Sequence, residues 1–292
     1  MGRLHGAIAA AVTPLRDGGG AVDLASIPPL VSFLAGGGID GALVCGTTGE
    51  GVLLSVDERR RVAWASVAAR PSGFQIAVHV GAQTTDETVA LAAHALEIGA
   101  DAVAVIAPPY FPLDPPELFE HLRAAAVACE PMPFYVYEFA ARSGYAIPID
   151  VVDRLRREQG NVVGMKVSDT PFDAVEPYLL EGLDVFIGSE PLVRAGMERG
   201  AIGAVSGLAT AWPEVVADLV HEHSPEAHLR VTELRERLRG IPFHAALKQV
   251  LVDRGVIAHL DVRPPLRSLT MEERTAVSAL DDQSRPASRQ AP

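Results

Sequence analysis

Gly99-Ala100-Asp101-Ala102-Val103-Ala104-Val105-Ile106 reads as a helix end passing into a strand. Glycine takes the left-handed backbone that closes a helix, and an apolar run follows it. That run shows no polar alternation, so both of its faces are covered, as in a parallel sheet. The same junction returns at Gly38-Ile39-Asp40-Gly41-Ala42 and at Gly200-Ala201-Ile202-Gly203-Ala204. Working outward, eight strands are predicted: Ala7–Val12, Gly41–Cys45, Gln75–Val80, Ala102–Ile106, Phe134–Tyr137, Val162–Val167, Asp184–Ile187 and Ala204–Ser206. Amphipathic stretches separate them: Leu24–Ala35, Val56–Ala69, Asp86–Ile98, Pro116–Ala128, Ile149–Glu158, Phe172–Leu180 and Leu192–Arg199. Strands alternating with helices give an α/β chain with parallel pairing, and eight such units close as a (β/α)8 TIM barrel. Three further helical stretches, Pro213–His223, Ala227–Arg239 and Phe243–Gly255, follow the last strand. The expected organisation is a barrel over residues 1–210, a C-terminal helical extension over 211–280 packed on it, and a disordered polar tail over 281–292.

The bulk properties narrow the function. The 292 residues are 48% hydrophobic, which excludes a disordered chain and gives ample material for a core. No apolar run approaches the roughly 20 residues of a membrane span. The first residues lack a signal-peptide pattern, and the two cysteines, Cys45 and Cys129, stand far apart. A reducing, cytoplasmic setting is expected. The net charge of −12 makes nucleic acid an unexpected partner. Arg59-Arg60-Arg61 follows Asp57-Glu58 on a helical stretch and reads as a solvated face. No Gly-x-Gly-x-x-Gly opens a helix after a strand, so a dinucleotide site is disfavoured.

Of the 25 basic side chains only two are lysines, Lys166 and Lys248. Arginine does not form imines, so in an arginine-biased chain each retained lysine is a candidate for chemistry that arginine cannot do. Lys166 ends the strand Val162-Val163-Gly164-Met165-Lys166-Val167. A lysine inside an apolar strand is costly when charged and unpaired, and a neutral amine attacks carbonyls. The competing reading pairs Lys166 with a nearby acid such as Asp169. Active sites of such barrels lie at the C-terminal strand ends, and two more ends carry reactive groups. Cys45-Gly46-Thr47-Thr48-Gly49-Glu50-Gly51 presents hydroxyls and backbone N–H groups together, which suits a carboxylate, although a plain Gly-rich turn reads the same way. Phe134-Tyr135-Val136-Tyr137-Glu138 turns two phenols to one face, and a phenol at a barrel mouth can move protons. His79 is read as a core histidine, Cys45 as structural, and Lys248 as an exposed residue of a late helix. His221-x-His223 lacks a third ligand, so no metal site is expected.

Together these segments resemble the dihydrodipicolinate synthase / N-acetylneuraminate lyase family, from about Gly6 to Leu280. Gly46-Thr47-Thr48-Gly49-Glu50, Tyr137 with Arg142-Ser143-Gly144, and Gly164-Met165-Lys166 carry the likeness. The resemblance implies a Schiff-base lyase with no metal or nucleotide cofactor, built as a homotetramer, a dimer of dimers. It implies that Lys166 forms the imine, that Tyr137 is the acid/base, and that Thr47 relays protons and with Thr48 binds the keto-acid carboxylate, beside Gly46. Ser189 and Glu190 would help select the second substrate, Val205 would contribute backbone near the imine, and Arg142 would hold a second carboxylate. The chain departs from the family pattern at two places. Glu138-Phe139-Ala140 stands where Asn-x-Pro follows the catalytic tyrosine. Pro109-Tyr110-Phe111-Pro112 stands where the synthase branch has Pro-Tyr-Tyr-Asn, so Phe111 falls on the relay tyrosine unless a one-residue shift lets Tyr110 serve.

Three functions are therefore in play. The first is an aldolase or dehydratase acting on pyruvate or a 2-keto-3-deoxy sugar acid, favoured by Phe111 and Glu138. The second is 4-hydroxy-tetrahydrodipicolinate synthase, favoured by Arg142. The third is a non-catalytic keto-acid-binding protein, which would have no use for Lys166 as an imine-forming amine.

Overall fold

A computed structural model describes residues 2–284 of the chain. Eight strands form its centre: β1 (Gly6–Ala10), β2 (Gly41–Val44), β3 (Gln75–His79), β4 (Ala102–Ile106), β5 (Phe134–Glu138), β6 (Val162–Val167), β7 (Asp184–Ile187) and β8 (Gly203–Ser206). Each pairs in parallel with the next, and β1 pairs with both β2 and β8, so the sheet closes on itself. All eight predicted strands are present, with ends shifted by no more than two residues. Gly38, Gly99 and Gly200 have φ of +86°, +74° and +101°, which confirms the predicted helix-closing role. Asp40 and Asp101 add a contact of their own. They accept the N–H groups of Ala7 (2.7 Å) and Ile76 (2.8 Å), so each junction also anchors a neighbouring strand.

Helices α1 (Ile27–Gly36), α2 (Val56–Ala69), α3 (Thr85–Glu97) and α4 (Pro115–Ala128) cover the first half of the barrel. A one-turn helix α5 (Ala140–Ser143) precedes α6 (Ile149–Glu158), and α7 (Val193–Glu198) follows β7. The predicted helix over Phe172–Leu180 is instead two 3-10 turns, Phe172–Ala174 and Glu176–Tyr178. Pro177 lies inside this stretch; it supplies no N–H for an α-helical bond and disfavours α geometry in the residue before it. After β8 come α8 (Pro213–His221), which packs on β1 and β8, then α9 (Pro225–Arg237), α10 (Phe243–Asp253) and α11 (Met271–Ser284). Helix α11 takes in Asp281–Ser284, the start of the expected tail. Asp281 is buried there because Arg254 Nη2 donates to it at 2.7 Å. Residues 285–292 lie outside the described part.

Two apolar layers hold the barrel. The larger lies between sheet and helices, and the smaller fills the barrel interior. Inside, Tyr135 and Phe186 meet edge to face at 5.8 Å, and the Tyr135 hydroxyl accepts the Leu4 N–H at 2.9 Å. They plug the N-terminal end, so the cavity opens only at the other. Gly164 makes room for that plug. A Cβ there would lie 2.2 Å from the Asp184 carbonyl and 2.6 Å from Tyr135 Cε1.

Candidate active site

The register of β5 with β6 sets Tyr137 beside Lys166, one step above Tyr135 and Gly164. Both side chains point into the barrel at its C-terminal end. Lys166 is 6% exposed, and its Nζ stands 4.0 Å from the Tyr137 ring centroid. Among the described residues Lys166 makes no ion pair. Asp169, its candidate partner, instead accepts the N–H groups of Ala140 and Ala141 at 2.7 and 3.1 Å. Thr47 Oγ1 lies 3.3 Å from the Tyr137 hydroxyl, so a hydroxyl, a phenol and an amine over the phenol ring gather at one place.

The turn that carries Thr47 is tightly built. Cys45 and Glu50 take left-handed backbone, φ +58° and +56°, and a Cβ on Gly51 would stand 1.8 Å from the Cys45 carbonyl. Thr13 donates to the Gly49 carbonyl at 2.6 Å, and His244 Nε2 lies 3.0 Å from the Thr47 carbonyl. Burial pushes the Cys45 thiol up to about 11, so it stays a thiol and is structural, as expected. His79 stands edge-on to Tyr137 at 5.9 Å. Burial, and then the charges of Arg59 and Lys166, hold its pKa well below the usual histidine value, so it is neutral.

A cavity of about 440 Å³ opens above Lys166 and Tyr137. Thr47, Thr48, Arg142, Ser189 and Val205 line it. Five expected residues lie elsewhere. Gly46 faces an adjoining cavity of about 370 Å³ that shares Thr47 and Arg142 with the first. Tyr110 and Phe111 pack on each other at 4.8 Å and are 84% and 70% exposed, away from Lys166 within this chain. Glu190 is completely buried behind the wall. It accepts from Arg235 Nε (2.6 Å), Ser206 Oγ (2.6 Å) and Leu208 N–H (3.0 Å). Burial works against its carboxylate, but Arg235 and these donors prevail and hold its pKa below the ordinary value. Glu138 is also buried outside the lining; it accepts the Ile147 N–H at 2.8 Å.

The extension supplies lining that the sequence did not disclose: Arg235, Glu236, Arg239, Phe243 and His244. Arg235 is fixed by Glu190 on one side and by the Phe243 ring beneath it, 4.3 Å from the centroid. The charged sequence of α9 resembles any solvated helix, and nothing in it marks Arg235. Two other expectations need correction. Arg59 is not part of a solvated face: it is 4% exposed and donates to the His79 carbonyl at 2.8 Å. Lys248 is not exposed either. It is completely buried, with Nζ 2.6 Å from both Glu50 Oε1 and the Asp261 carbonyl. No cluster that could hold a metal ion occurs among the described residues, and none of their helices is long and apolar enough to cross a membrane.

The model of the dihydrodipicolinate synthetase family matches residues 3–283. The chain belongs to that family. A DapA-like lyase of Halobacterium salinarum, itself uncharacterized, is 34% identical over 289 residues, 94% of this chain and 92% of the relative. Dihydrodipicolinate synthase from Aquifex aeolicus superposes with a TM-score of 0.89 at 26% identity, covering 96% of this chain and 98% of that one. Proteus mirabilis N-acetylneuraminate lyase superposes with a TM-score of 0.87 at 30% identity, covering 97% and 99%. As a member of this family the chain is a lyase of the class I aldolase type.

Proposed function

We propose that the substrate is pyruvate or a 2-keto-3-deoxy sugar acid, held as an imine on Lys166. The observation that carries this reading is the Lys166–Tyr137–Thr47 grouping at the floor of the cavity. The amine of Lys166 attacks the C2 carbonyl, the oxygen takes a proton from Tyr137, and water leaves. The protonated imine then accepts the electron pair of the C3–C4 bond as the C4 hydroxyl loses its proton. An aldehyde departs, the enamine takes a proton at C3, and hydrolysis frees pyruvate and the lysine. Thr47 stands where it can pass the proton to and from Tyr137. The N–H groups and hydroxyls of Thr47 and Thr48 face the keto-acid carboxylate. These steps use only groups of the chain and need no metal or nucleotide.

Incubation with 2-keto-3-deoxygluconate tests the reading, with released pyruvate followed by lactate dehydrogenase. Pyruvate from the wild type and none above background from Lys166→Ala is the expected result. The opposite outcome is a folded wild type that releases none from this or related 2-keto-3-deoxy acids.

Arg142 at the cavity mouth favours a second reading, synthesis of 4-hydroxy-tetrahydrodipicolinate from pyruvate and aspartate semialdehyde. Growth of a diaminopimelate auxotroph carrying this gene would establish it. The exposed Tyr110, Phe111 and Val52 support assembly with further copies, as a homotetramer. Light scattering reads that mass directly.

A further inference from the structure

Glu138 directly follows Tyr137, yet it faces away from the cavity and no catalytic step uses it. It is 1% exposed. Its Oε2 accepts the Ile147 N–H at 2.8 Å, and its backbone carbonyl accepts the Ser168 N–H at 3.0 Å. The Asp169 carboxyl lies against the Glu138 carboxyl, within hydrogen-bond reach. Asp169 in turn caps α5 through the Ala140 and Ala141 N–H groups. The two acids therefore grip both ends of the segment from Phe139 to Ile147, and Arg142 sits between the grips. Arg142 lines both cavities at the mouth. Among the described residues neither acid has a cationic partner. The other titratable groups that face the pair are phenols, Tyr145 from the same segment and Tyr178 from the 3-10 turn after β6. Two touching carboxyls without a cation cannot both be ionised at low cost, and this favours the neutral form of Glu138.

We propose that Glu138 is a positioning residue: as a neutral acid it donates to the Asp169 carboxylate, docks the Phe139–Ile147 segment, and so fixes Arg142 over the Lys166 cavity. Loss of that proton sets two anions against each other and releases the segment. Burial first, then the Asp169 charge, pushes Glu138 up to about 7, so release falls within the working range of an enzyme. Arg142 would then lose its hold on the part of the substrate beyond the keto acid, while the imine on Lys166 still forms. That functional consequence rests on the lyase reading above; the docking itself does not.

Hydrogen exchange of the full-length protein, read by mass spectrometry from about pH 4.5 to about pH 9 and corrected for intrinsic rates, tests the docking without any substrate. In the wild type the amides of residues 139–147 should lose protection roughly tenfold for each pH unit between about 4.5 and about 7, and level off above that. Glu138→Gln, which keeps a donor and an acceptor but carries no proton to lose, should hold protection across the range. Asp169→Asn should move the wild-type transition to lower pH. A flat wild-type profile, or Glu138→Gln following the wild-type curve, would overturn the proposal. With 2-keto-3-deoxygluconate, KM should rise as pH climbs to about 7 in the wild type and not in Glu138→Gln. Borohydride trapping of pyruvate should be unchanged in both. Failure of trapping would count against the lyase reading and leave the exchange result standing.

Discussion

At the scale of single residues, the proposed mechanism divides the labour among Lys166, Tyr137 and Thr47. In that mechanism Lys166 supplies the covalent bond, so Tyr137→Phe should still form some imine with pyruvate but turn over roughly 10²–10⁴-fold more slowly. Parallel trapping and turnover assays check this, and equal loss in both would make Tyr137 necessary for the imine itself. Glu138 gives a stability signature of its own. Its folded pKa, about 7, lies above the ordinary value of 4.5. The folded protein therefore keeps a proton that the unfolded chain has already lost. This contribution is complete below about 4.5 and is lost as pH rises through about 7. Relative to Glu138→Gln, the wild type should lose on the order of 2–3 kcal/mol between pH 4.5 and 8, read from urea midpoints. Lys166 was legible because lysine scarcity and an apolar strand marked it together. The same scarcity marked Lys248, but its burial was not legible. Its counter-charge, Glu50, is 198 positions away in sequence, and no local pattern announces such a pair.

At the scale of elements, the strands were legible because a strand buried on both faces is an unbroken apolar run closed by glycine turns. Helix ends were less so, and the stretch after β6 forms 3-10 turns because Pro177 interrupts its helical apolar pattern. The pleat also explains which strand-end residues reach the cavity. Lys166 and Tyr137 face inward, whereas Glu138, one residue on, faces the outer layer. Knowing that alternation, the sequence alone could have placed Glu138 outside the lining. Arg235 had no such signal, since its role depends on α9 folding back over the 3-10 turn that holds Glu190. Gly164 is the tightest constraint on β6. Gly164→Ala sets a methyl group against the Asp184 carbonyl and the Tyr135 ring. It should cost roughly 1–3 kcal/mol in chemical denaturation and also lower activity by moving the strand that carries Lys166. A variant with unchanged stability would show that β6 can shift freely.

At the scale of the whole molecule, the extension completes the site as well as covering the barrel. Two latches tie it down. Arg254, at the end of α10, bonds Glu214 of α8 and Asp281 of α11. Lys248 of α10 reaches Glu50, whose second oxygen accepts the Arg263 N–H at 2.6 Å. Burial pulls the Lys248 ammonium down in pKa while Glu50 pushes it back, so the pair stands or falls together. Lys248→Met leaves a buried carboxylate alone and should cost roughly 3–5 kcal/mol, with partial recovery in Lys248→Met/Glu50→Gln. Because Glu50 closes the Thr47–Thr48 turn, the single variant should also weaken keto-acid binding. A neutral result in denaturation would mean that the latch holds nothing. The most direct test of the central claim is borohydride reduction in the presence of pyruvate, followed by peptide mass analysis. The account predicts a pyruvate-derived increment on the peptide containing Lys166, absent in Lys166→Ala and absent from the Lys248 peptide. A folded protein that shows no increment on Lys166 with pyruvate or with longer 2-keto acids would contradict it.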